Sequence, residues 1–302
     1  MKAYAEYLLL RCILFLAGLL PASCAVAFGR TLAAVWFAFD AKHRRKILFD
    51  IERTPLAKRS EAEKRELVRG VYRHFGTMFG ELAKFRRWDF ERISKCIDDT
   101  ELDKLRGREH PNGCMIISAH LGNWELTGMT LPLFGVDVWS VARPLKNKYI
   151  DRLLNESRVQ FGQHIMEKFN VMLEIVRHLK KGRTVAVVID QDAEKDAIFV
   201  PFLGETAGTL TIHAKLALKY DLPVYCVVTH RLRPFRHRFR VVGPVDYPSE
   251  GDDALERTVR KFNDVLSEVI SECPEQWMWF HHRWRTADKK GLTRVANERR
   301  EL

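Results

Sequence analysis

Four short apolar runs in the second half of the chain constrain its fold more than any other feature. Each has six or seven residues, and turn-forming or polar residues bound each one, which is typical of a buried β-strand. The runs are CMIISA, VDVWSVA, TVAVVID and PVYCVVT, at residues 114–119, 136–142, 184–190 and 223–229. Helical patterns separate them, at residues 147–161, 171–181 and 212–220. This alternation predicts an α/β fold with a mixed, largely parallel sheet that helices flank on both faces.

The remaining periodic segments extend this α/β unit. FRVVGPV, at residues 239–245, predicts an outer strand, and the one-sided apolar stripe at residues 253–271 predicts a covering helix. Residues 55–90 carry apolar side chains at spacings of three and four, which predicts an amphipathic helix with a possible break at Gly76 or Gly80.

The first forty residues are far more apolar than the rest. Tyr7 to Phe28 contains one charge, Arg11, and as a helix it would reach about 33 Å, roughly one hydrocarbon core. Pro21 interrupts the segment, and apolar character continues to Phe39, so a kinked pair of interfacial helices fits equally well. A cleaved signal peptide is the competing interpretation, although a charge inside its apolar region would be unusual.

Charge and cysteine content indicate the kind of partner that the chain binds and the cellular compartment in which it lies. Fifty Lys and Arg against 39 Asp and Glu leave a net charge of +11, which favours acidic partners such as phosphate-bearing lipids, nucleic acid or an acidic protein. A basic cluster comes directly after the apolar segment and favours a cytoplasmic position for the rest of the chain: Lys42, Arg44, Arg45 and Lys46. The six cysteines contain no C-x-x-C pair, so we expect reduced thiols and no structural zinc.

The stretch ISAHLGNWELTG contains the main candidate for chemistry. His120 ends a predicted buried strand, Gly122 permits a tight turn, and a helix is expected to begin near Asn123. In this arrangement Glu125 would hold one nitrogen of the His120 ring and leave the other as a general base. Free backbone N–H groups at the helix start would stabilise a developing oxyanion. The alternative is a histidine that only caps the helix.

These residues resemble a known family. AHLGNWE is similar to the H-x-x-x-x-(D/E) motif of glycerolipid acyltransferases. Its Gly-Asn-Trp-Glu sequence resembles the same motif in the late acyltransferases of lipid A biosynthesis, the lauroyl and myristoyl type. Three further stretches agree with that family in order and spacing: ARPLKN at 142–147, DQDAEKDAIFVPFLGETAGT at 190–209 and PEQWMWFHHRWR at 274–285. The resemblance spans residues 7–285 and implies a glycerolipid-acyltransferase-like fold with a membrane-associated N-terminal segment.

The resemblance also implies an activity. Such enzymes are O-acyltransferases that move a fatty acyl chain from acyl carrier protein, or from coenzyme A, to a hydroxyl of an anionic, glucosamine-based lipid. They act at the cytoplasmic face of the inner membrane of Gram-negative bacteria, and they require no metal or other cofactor. His120 would be the base and Glu125 its orienting acid. The family's arginine after the Arg-Pro segment and the first aspartate of Asp-Gln-Asp correspond to Arg158 and Asp190.

Three further residues are candidates for substrate binding. Asn123 belongs to the Gly-Asn-Trp-Glu motif, and Arg143 comes after a strand end, where a cation is well placed for a lipid phosphate. Asp192 ends the Asp-Gln-Asp block. A solvated turn is the alternative for Arg143, and a helix cap is the alternative for Asp192. Leu203 and the AGT segment at 207–209 depart from the family pattern, so the acyl chain length does not carry over.

Two other functions compete. An acyltransferase for phosphatidylinositol mannosides or lysophospholipids would share the His–acid motif and the fold. A basic protein that binds membranes or nucleic acid without catalysis is less consistent, because the aromatic residues do not interleave with Lys and Arg and no nucleic-acid motif is present.

The predicted organisation has four parts. Residues 1–40 are the membrane anchor or interfacial helices, and 41–110 are a helical segment that packs on the catalytic unit. Residues 111–287 form the α/β acyltransferase core, and 288–302 form a charged tail.

Overall fold

A computed structural model describes residues 2–107, 110–167 and 171–294. Most of the predicted tail, residues 295–302, therefore lies outside the described residues. The described residues form these α-helices: α1 Lys2–Leu19, α2 Ala22–Phe39, α3 Ala41–Glu52, α4 Glu61–Phe85, α5 Phe90–Ser94, α6 Trp124–Thr130, α7 Lys148–Val159, α8 Val171–Leu179, α9 Ile212–Tyr220, α10 Ala254–Glu272 and α11 Arg285–Lys290.

The strands form one large sheet and one hairpin. They are β1 Ile97–Asp98, β2 Cys114–Ser118, β3 Val138–Ala142, β4 His164–Glu167, β5 Thr184–Val188, β6 Ala197–Phe202, β7 Glu205–Leu210, β8 Val224–Arg233 and β9 Arg236–Val242. The sheet order is β1-β9-β8-β2-β5-β3-β4, and β6 pairs with β7 outside it. All neighbours in the sheet are parallel except β8 and β9. The predicted α/β class with a mixed, largely parallel sheet is confirmed.

The individual elements agree with the sequence pattern to different degrees. The four apolar runs are β2, β3, β5 and β8, and the four helical patterns of the second half are α7, α8, α9 and α10. Sequence patterns did not identify β4 or the β6–β7 hairpin. Strands β4 and β7 carry charged or glycine residues, and a proline interrupts the apolar run of β6.

Helices cover both faces of the sheet, as its central strands require. All five residues of β2 are buried. Met115 and Ile117 pack into a core that includes α10, whereas Ile116 packs with Tyr225 and Phe239 on the other face. Because side chains alternate along a strand, this division places one apolar layer on each side of β2.

Helix α4 runs unbroken through Gly76 and Gly80, so the expected break is wrong. These glycines allow α2 to approach closely: a Cβ on Gly76 would lie 2.5 Å from the Gly29 carbonyl oxygen, and one on Gly80 would lie 2.6 Å from that of Ala25. The glycines are therefore a packing device rather than a helix end.

The N-terminal segment is two helices, with the predicted interruption at Pro21. Among the described residues, only α2 is long and apolar enough to cross a membrane. Five large apolar side chains of α2 are exposed on its outward side: Phe28, Leu32, Val35, Trp36 and Phe39. A contiguous apolar face of this kind is typical of a membrane or protein contact.

Candidate active site

The candidate site lies where two neighbouring strands, β2 and β5, end, beside the middle of β8. His120 comes after β2, and Asp190 comes after β5, its parallel neighbour. On the other side of β2, Thr229 of β8 forms a bridge with Gly122. Functional groups gather at the carboxyl edge of such sheets, because loops from several strands converge there.

Asp190 is the partner of His120. Its Oδ1 lies 2.8 Å from His120 Nδ1, and its Oδ2 accepts from the His120 backbone N–H and from Trp277 Nε1, both at 2.8 Å. The carboxylate is fully buried. Since an ionised carboxylate can only accept, Nδ1 carries the proton of this bond, and Nε2 is the basic nitrogen of the neutral ring.

The pair has shifted pKa values. Burial lowers the pKa of His120, but the charge and hydrogen bond of Asp190 outweigh burial, so the net pKa of His120 is raised. Burial alone would raise the pKa of Asp190, but interaction with His120 holds it well below the usual range. Asp190 therefore remains ionised and favours the imidazolium form of His120.

Glu125 makes a different contact from the one expected. Arg158 binds it with two hydrogen bonds of 2.8 Å, from Nε to Oε2 and from Nη2 to Oε1. The structure thus corrects the expectation that Glu125 holds a His120 ring nitrogen, because α7 supplies an arginine that occupies both carboxylate oxygens. Glu125 still acts on His120 at a distance, since its charge raises the histidine pKa.

The turn after His120 is tightly constrained. Gly122 has φ of +60°, and a Cβ there would lie 1.6 Å from the Thr229 carbonyl oxygen. Gly122 N–H donates to the Gln276 carbonyl at 3.1 Å, and Met278 N–H donates to the His120 carbonyl at 3.0 Å. Only glycine fits here, and the C-terminal tryptophan-rich segment lies directly against the turn.

Two predicted substrate-binding residues are engaged inside the protein. Asn123 is almost fully buried; its Oδ1 accepts from Leu126 N–H at 3.2 Å, and its Nδ2 lies 3.3 Å from Glu81. Asp192 accepts from Thr286, from the hydroxyl at 2.7 Å and from the backbone N–H at 3.4 Å. Asn123 caps α6 and Asp192 holds the start of α11, so neither presents a free polar group to a substrate.

Two other predictions concern groups at the edge of the site. Arg143 is exposed in the loop after β3, on the same edge of the sheet as His120. The backbone N–H of Leu126, at the start of α6, already donates a hydrogen bond to Asn123 Oδ1, so it is not free to bind an oxyanion.

His281 is a site residue that the sequence patterns did not single out. Its ring packs on His120 with centroids 4.8 Å apart, and its Nε2 is buried without a hydrogen-bond partner. Burial lowers the pKa of His281 to about 4. The motif PEQWMWFHHRWR contains it, but the local sequence does not reveal which of two adjacent histidines faces inward.

Histidine and carboxylate side chains are common zinc ligands, and three of them meet here. Among the described residues, His120, Asp190 and His281 each offer one ligand atom, all within 4.8 Å of one another. Both Asp190 oxygens already accept from protein donors. A metal bound here would therefore compete with the His120–Asp190 bond.

Aromatic rings connect the site to α2. Trp124 packs on His120 with ring centroids 5.3 Å apart, and Phe75, Phe280 and Trp36 continue the series at separations of 5.9, 5.0 and 4.7 Å. Trp36 is 42% exposed on the apolar face of α2. An apolar path thus joins the histidine to the face that a membrane would cover.

Comparison with known proteins agrees with the motifs. The family model described as bacterial lipid A biosynthesis acyltransferase matches residues 1–286. The chain is 27% identical over 252 residues to the lipid A biosynthesis lauroyltransferase of Escherichia coli K12, which is 81% of this chain and 80% of the relative. It is 26% identical over 234 residues to the lipid A biosynthesis palmitoleoyltransferase of the same organism, covering 75% and 74%. Identity to the phosphatidylinositol mannoside acyltransferase of Mycolicibacterium smegmatis is 23% over 172 residues, covering 53% and 56%.

Proposed function

Because the chain belongs to the bacterial lipid A biosynthesis acyltransferase family and is an acyltransferase, we propose that it moves a fatty acyl chain from a thioester donor to a hydroxyl of a lipid A precursor. Acyl carrier protein is the proposed donor, with coenzyme A as the alternative carrier. The observation that carries the mechanism is the hydrogen-bonded pair of His120 and Asp190 at the carboxyl edge of the sheet.

His120 acts as the general base. Its Nε2 takes the proton from the acceptor hydroxyl while the hydroxyl oxygen attacks the thioester carbonyl. The tetrahedral intermediate then collapses, the carbon–sulfur bond breaks, and the departing thiolate takes the proton from Nε2. Asp190 keeps the proton on Nδ1 throughout and stabilises the imidazolium that forms between the two steps.

Glu125 and Arg158 form a charged pair beside the reacting groups. Their two parallel hydrogen bonds fix the start of α6 against α7, which keeps the turn that contains His120 in place. In this mechanism Glu125 supports the imidazolium through its charge, and Asp190 provides the direct contact.

The reaction takes place at the membrane surface, on the cytoplasmic side of the inner membrane. The apolar face of α2 and the aromatic series that leads from it to His120 support delivery of a membrane-borne acceptor. Exposed cations near the same end of the molecule, Lys42 and Arg45, favour anionic headgroups. Exposed Arg143 is the candidate contact for a phosphate of the glycolipid.

Lipid analysis tests the proposal directly. Lipid A extracted from cells with and without this gene would be compared by mass spectrometry, and we expect the loss of one acyl group in its absence. Complementation with the His120→Ala variant should fail to restore that group. An unchanged lipid A profile in the deletion strain would refute the proposed acceptor.

The similarity to a phosphatidylinositol mannoside acyltransferase supports a second acceptor. Purified protein would be incubated with acyl carrier protein thioester and, in turn, with a lipid A precursor, a phosphatidylinositol mannoside and a lysophospholipid. Transfer to one of the latter two alone would establish the alternative.

A further inference from the structure

Helix α4 presents two faces to two different parts of the molecule. Gly76 and Gly80 face α2, as their close approach shows. His74 and Glu81 are seven residues apart and so lie on one side of the helix, roughly opposite those glycines. This second side faces the turn after His120.

Glu81 is the centre of a buried ionic cluster on that side. Its carboxylate accepts from Arg231 Nε at 3.0 Å and Nη2 at 2.8 Å, and from Phe235 N–H at 3.0 Å. His237 Nε2 lies 3.2 Å from it. Glu81 and His237 are almost completely buried, so their contact is shielded from bulk water.

Two bonds connect this cluster to the catalytic turn. Asn123 Nδ2 donates to Glu81 Oε2 at 3.3 Å, and His74 Nε2 lies 3.1 Å from the Gly122 carbonyl oxygen. Arg231 Nη1 contacts His74 Nδ1. Since arginine can only donate, Nδ1 of His74 must accept, and its proton must lie on Nε2 and point at Gly122.

The electrostatics agree with this assignment. Burial, followed by the charge of Arg231, lowers the pKa of His74 well below its usual value, so the ring is neutral. Interaction with His237 and Arg231 overcomes burial and holds the pKa of Glu81 well below its usual range. A neutral His74 and an ionised Glu81 satisfy each bond in the cluster.

A buried ionic cluster contributes little net stability, because desolvation of the charges offsets their attraction. What such a cluster supplies is a defined position for the groups that it contacts. Here those groups are the backbone and side chain of residues 122 and 123, between His120 and Glu125.

We propose that His74, held by Arg231, which Glu81 holds in turn, is a positioning residue that fixes the turn between His120 and Glu125 in its reactive geometry. This inference rests on the proposed function for its kinetic test, because the turn matters to the rate only if His120 is the base. A displacement of about 1 Å in such a group reduces turnover by about 10²-fold.

Two conservative variants separate the two bonds of His74. In His74→Asn the amide oxygen is near the Nδ1 position and still accepts from Arg231, but the side chain is too short to reach Gly122. In His74→Gln the amide nitrogen is near the Nε2 position and still donates to Gly122. The matched control is His178→Asn at the opposite end of the sheet, where the ring contacts Arg183 at 2.9 Å.

Full-length enzyme in detergent would be assayed with acyl carrier protein thioester and a lipid A precursor. We expect His74→Asn to lower kcat by at least tenfold with KM within threefold of wild type. His74→Gln should retain kcat within threefold, and so should the control. Equal kcat values for the Asn and Gln variants would overturn the positioning role, and so would a KM effect without a kcat effect.

Hydrogen–deuterium exchange provides a measurement that does not depend on activity. Peptides covering residues 118–126 should exchange faster in His74→Asn than in His74→Gln, wild type or the control. Unchanged exchange in the Asn variant would reject the inference. If wild type transfers no acyl group to any acceptor, the proposed function fails, and the exchange result still decides whether His74 holds the turn.

Discussion

The substitution Asp190→Asn tests the proton-transfer mechanism most directly. Asp190 Oδ2 accepts from the His120 backbone N–H and from Trp277 Nε1, and both of these groups can only donate. An asparagine must therefore keep its oxygen at that position, because its amide nitrogen cannot accept. The amide N–H then points at His120 Nδ1, which must accept, and the ring proton moves to Nε2.

This change of tautomer removes the basic nitrogen from the reacting side while most of the local hydrogen bonds remain. In the serine-protease triad the same substitution lowers kcat by about 10⁴, and we expect a loss of about 10³ to 10⁴ here. That loss corresponds to about 4 to 5.5 kcal/mol of transition-state stabilisation, at 1.36 kcal/mol for each factor of ten.

The pH dependence provides an independent readout. In wild type the rate should rise as the pH passes through the raised pKa of His120, because only the neutral ring accepts a proton. Asp190→Asn removes the charge that raises this pKa and leaves the burial that lowers it. The midpoint of the residual activity should therefore move to lower pH.

Initial rates of acyl transfer would be measured between pH 5 and pH 9 for wild type, Asp190→Asn and the control Asp98→Asn. Asp98 pairs with Arg238 at the far edge of the sheet, so its variant should retain the wild-type rate and midpoint. A rate for folded Asp190→Asn within tenfold of wild type would refute the proposed role of Asp190. A midpoint that moves upward would refute the electrostatic argument.

Three further perturbations have defined outcomes. Glu125→Gln and Arg158→Met should each lower kcat/KM, because the two side chains form an ion pair. A double-mutant cycle on kcat/KM should give a coupling free energy of roughly 1 to 2 kcal/mol between them. Additive effects would mean that the pair does not act as a unit. Gly80→Val should lower the melting temperature by several degrees, because its Cβ would lie 2.6 Å from the Ala25 carbonyl oxygen; an unchanged value in a thermal scan would show that α2 does not pack there. Burial lowers the pKa of His213 to about 3, whereas histidine in the unfolded chain titrates near pH 6.5. The unfolded state therefore binds the proton first as the pH falls. The free energy of unfolding should decrease by roughly 2 kcal/mol between neutral pH and pH 5. Denaturant unfolding of His213→Phe should show a smaller loss over that range.

The extent of each central strand could be read from local pattern. CMIISA and TVAVVID are largely apolar, which is typical of strands in the middle of a parallel sheet, and both occupy such positions. All of β2 is buried, whereas buried and partly exposed residues alternate along β5. Strand β4 and the β6–β7 hairpin could not be read in this way. They lie at the edge of the sheet or outside it, where burial on both faces is not required.

The candidate site was predictable in its members more than in its contacts. The sequence identified four candidate residues, partly through the family resemblance: His120, Glu125, Arg158 and Asp190. It suggested a hydrogen bond between His120 and Glu125, but in the structure His120 bonds to Asp190 and Glu125 bonds to Arg158. Proximity along the chain was misleading, since the arginine that occupies Glu125 is 33 residues away. The cluster of His74, Glu81 and Arg231 had no local signal, because its members come from a helix and a strand 150 residues apart.

The amino-acid sequence by itself determined the central strands and the helices between them, and it placed a histidine at the end of a buried strand, because these features depend on periodicity and on turn residues near in the chain. Only the tertiary structure decided that β5 inserts between β2 and β3, so that Asp190 comes to lie beside His120 from 70 residues away. Strand order results from how the helices pack on both faces of the sheet, and that packing depends on contacts between segments far apart in the chain. The partner of His120 is therefore a property of the assembled sheet.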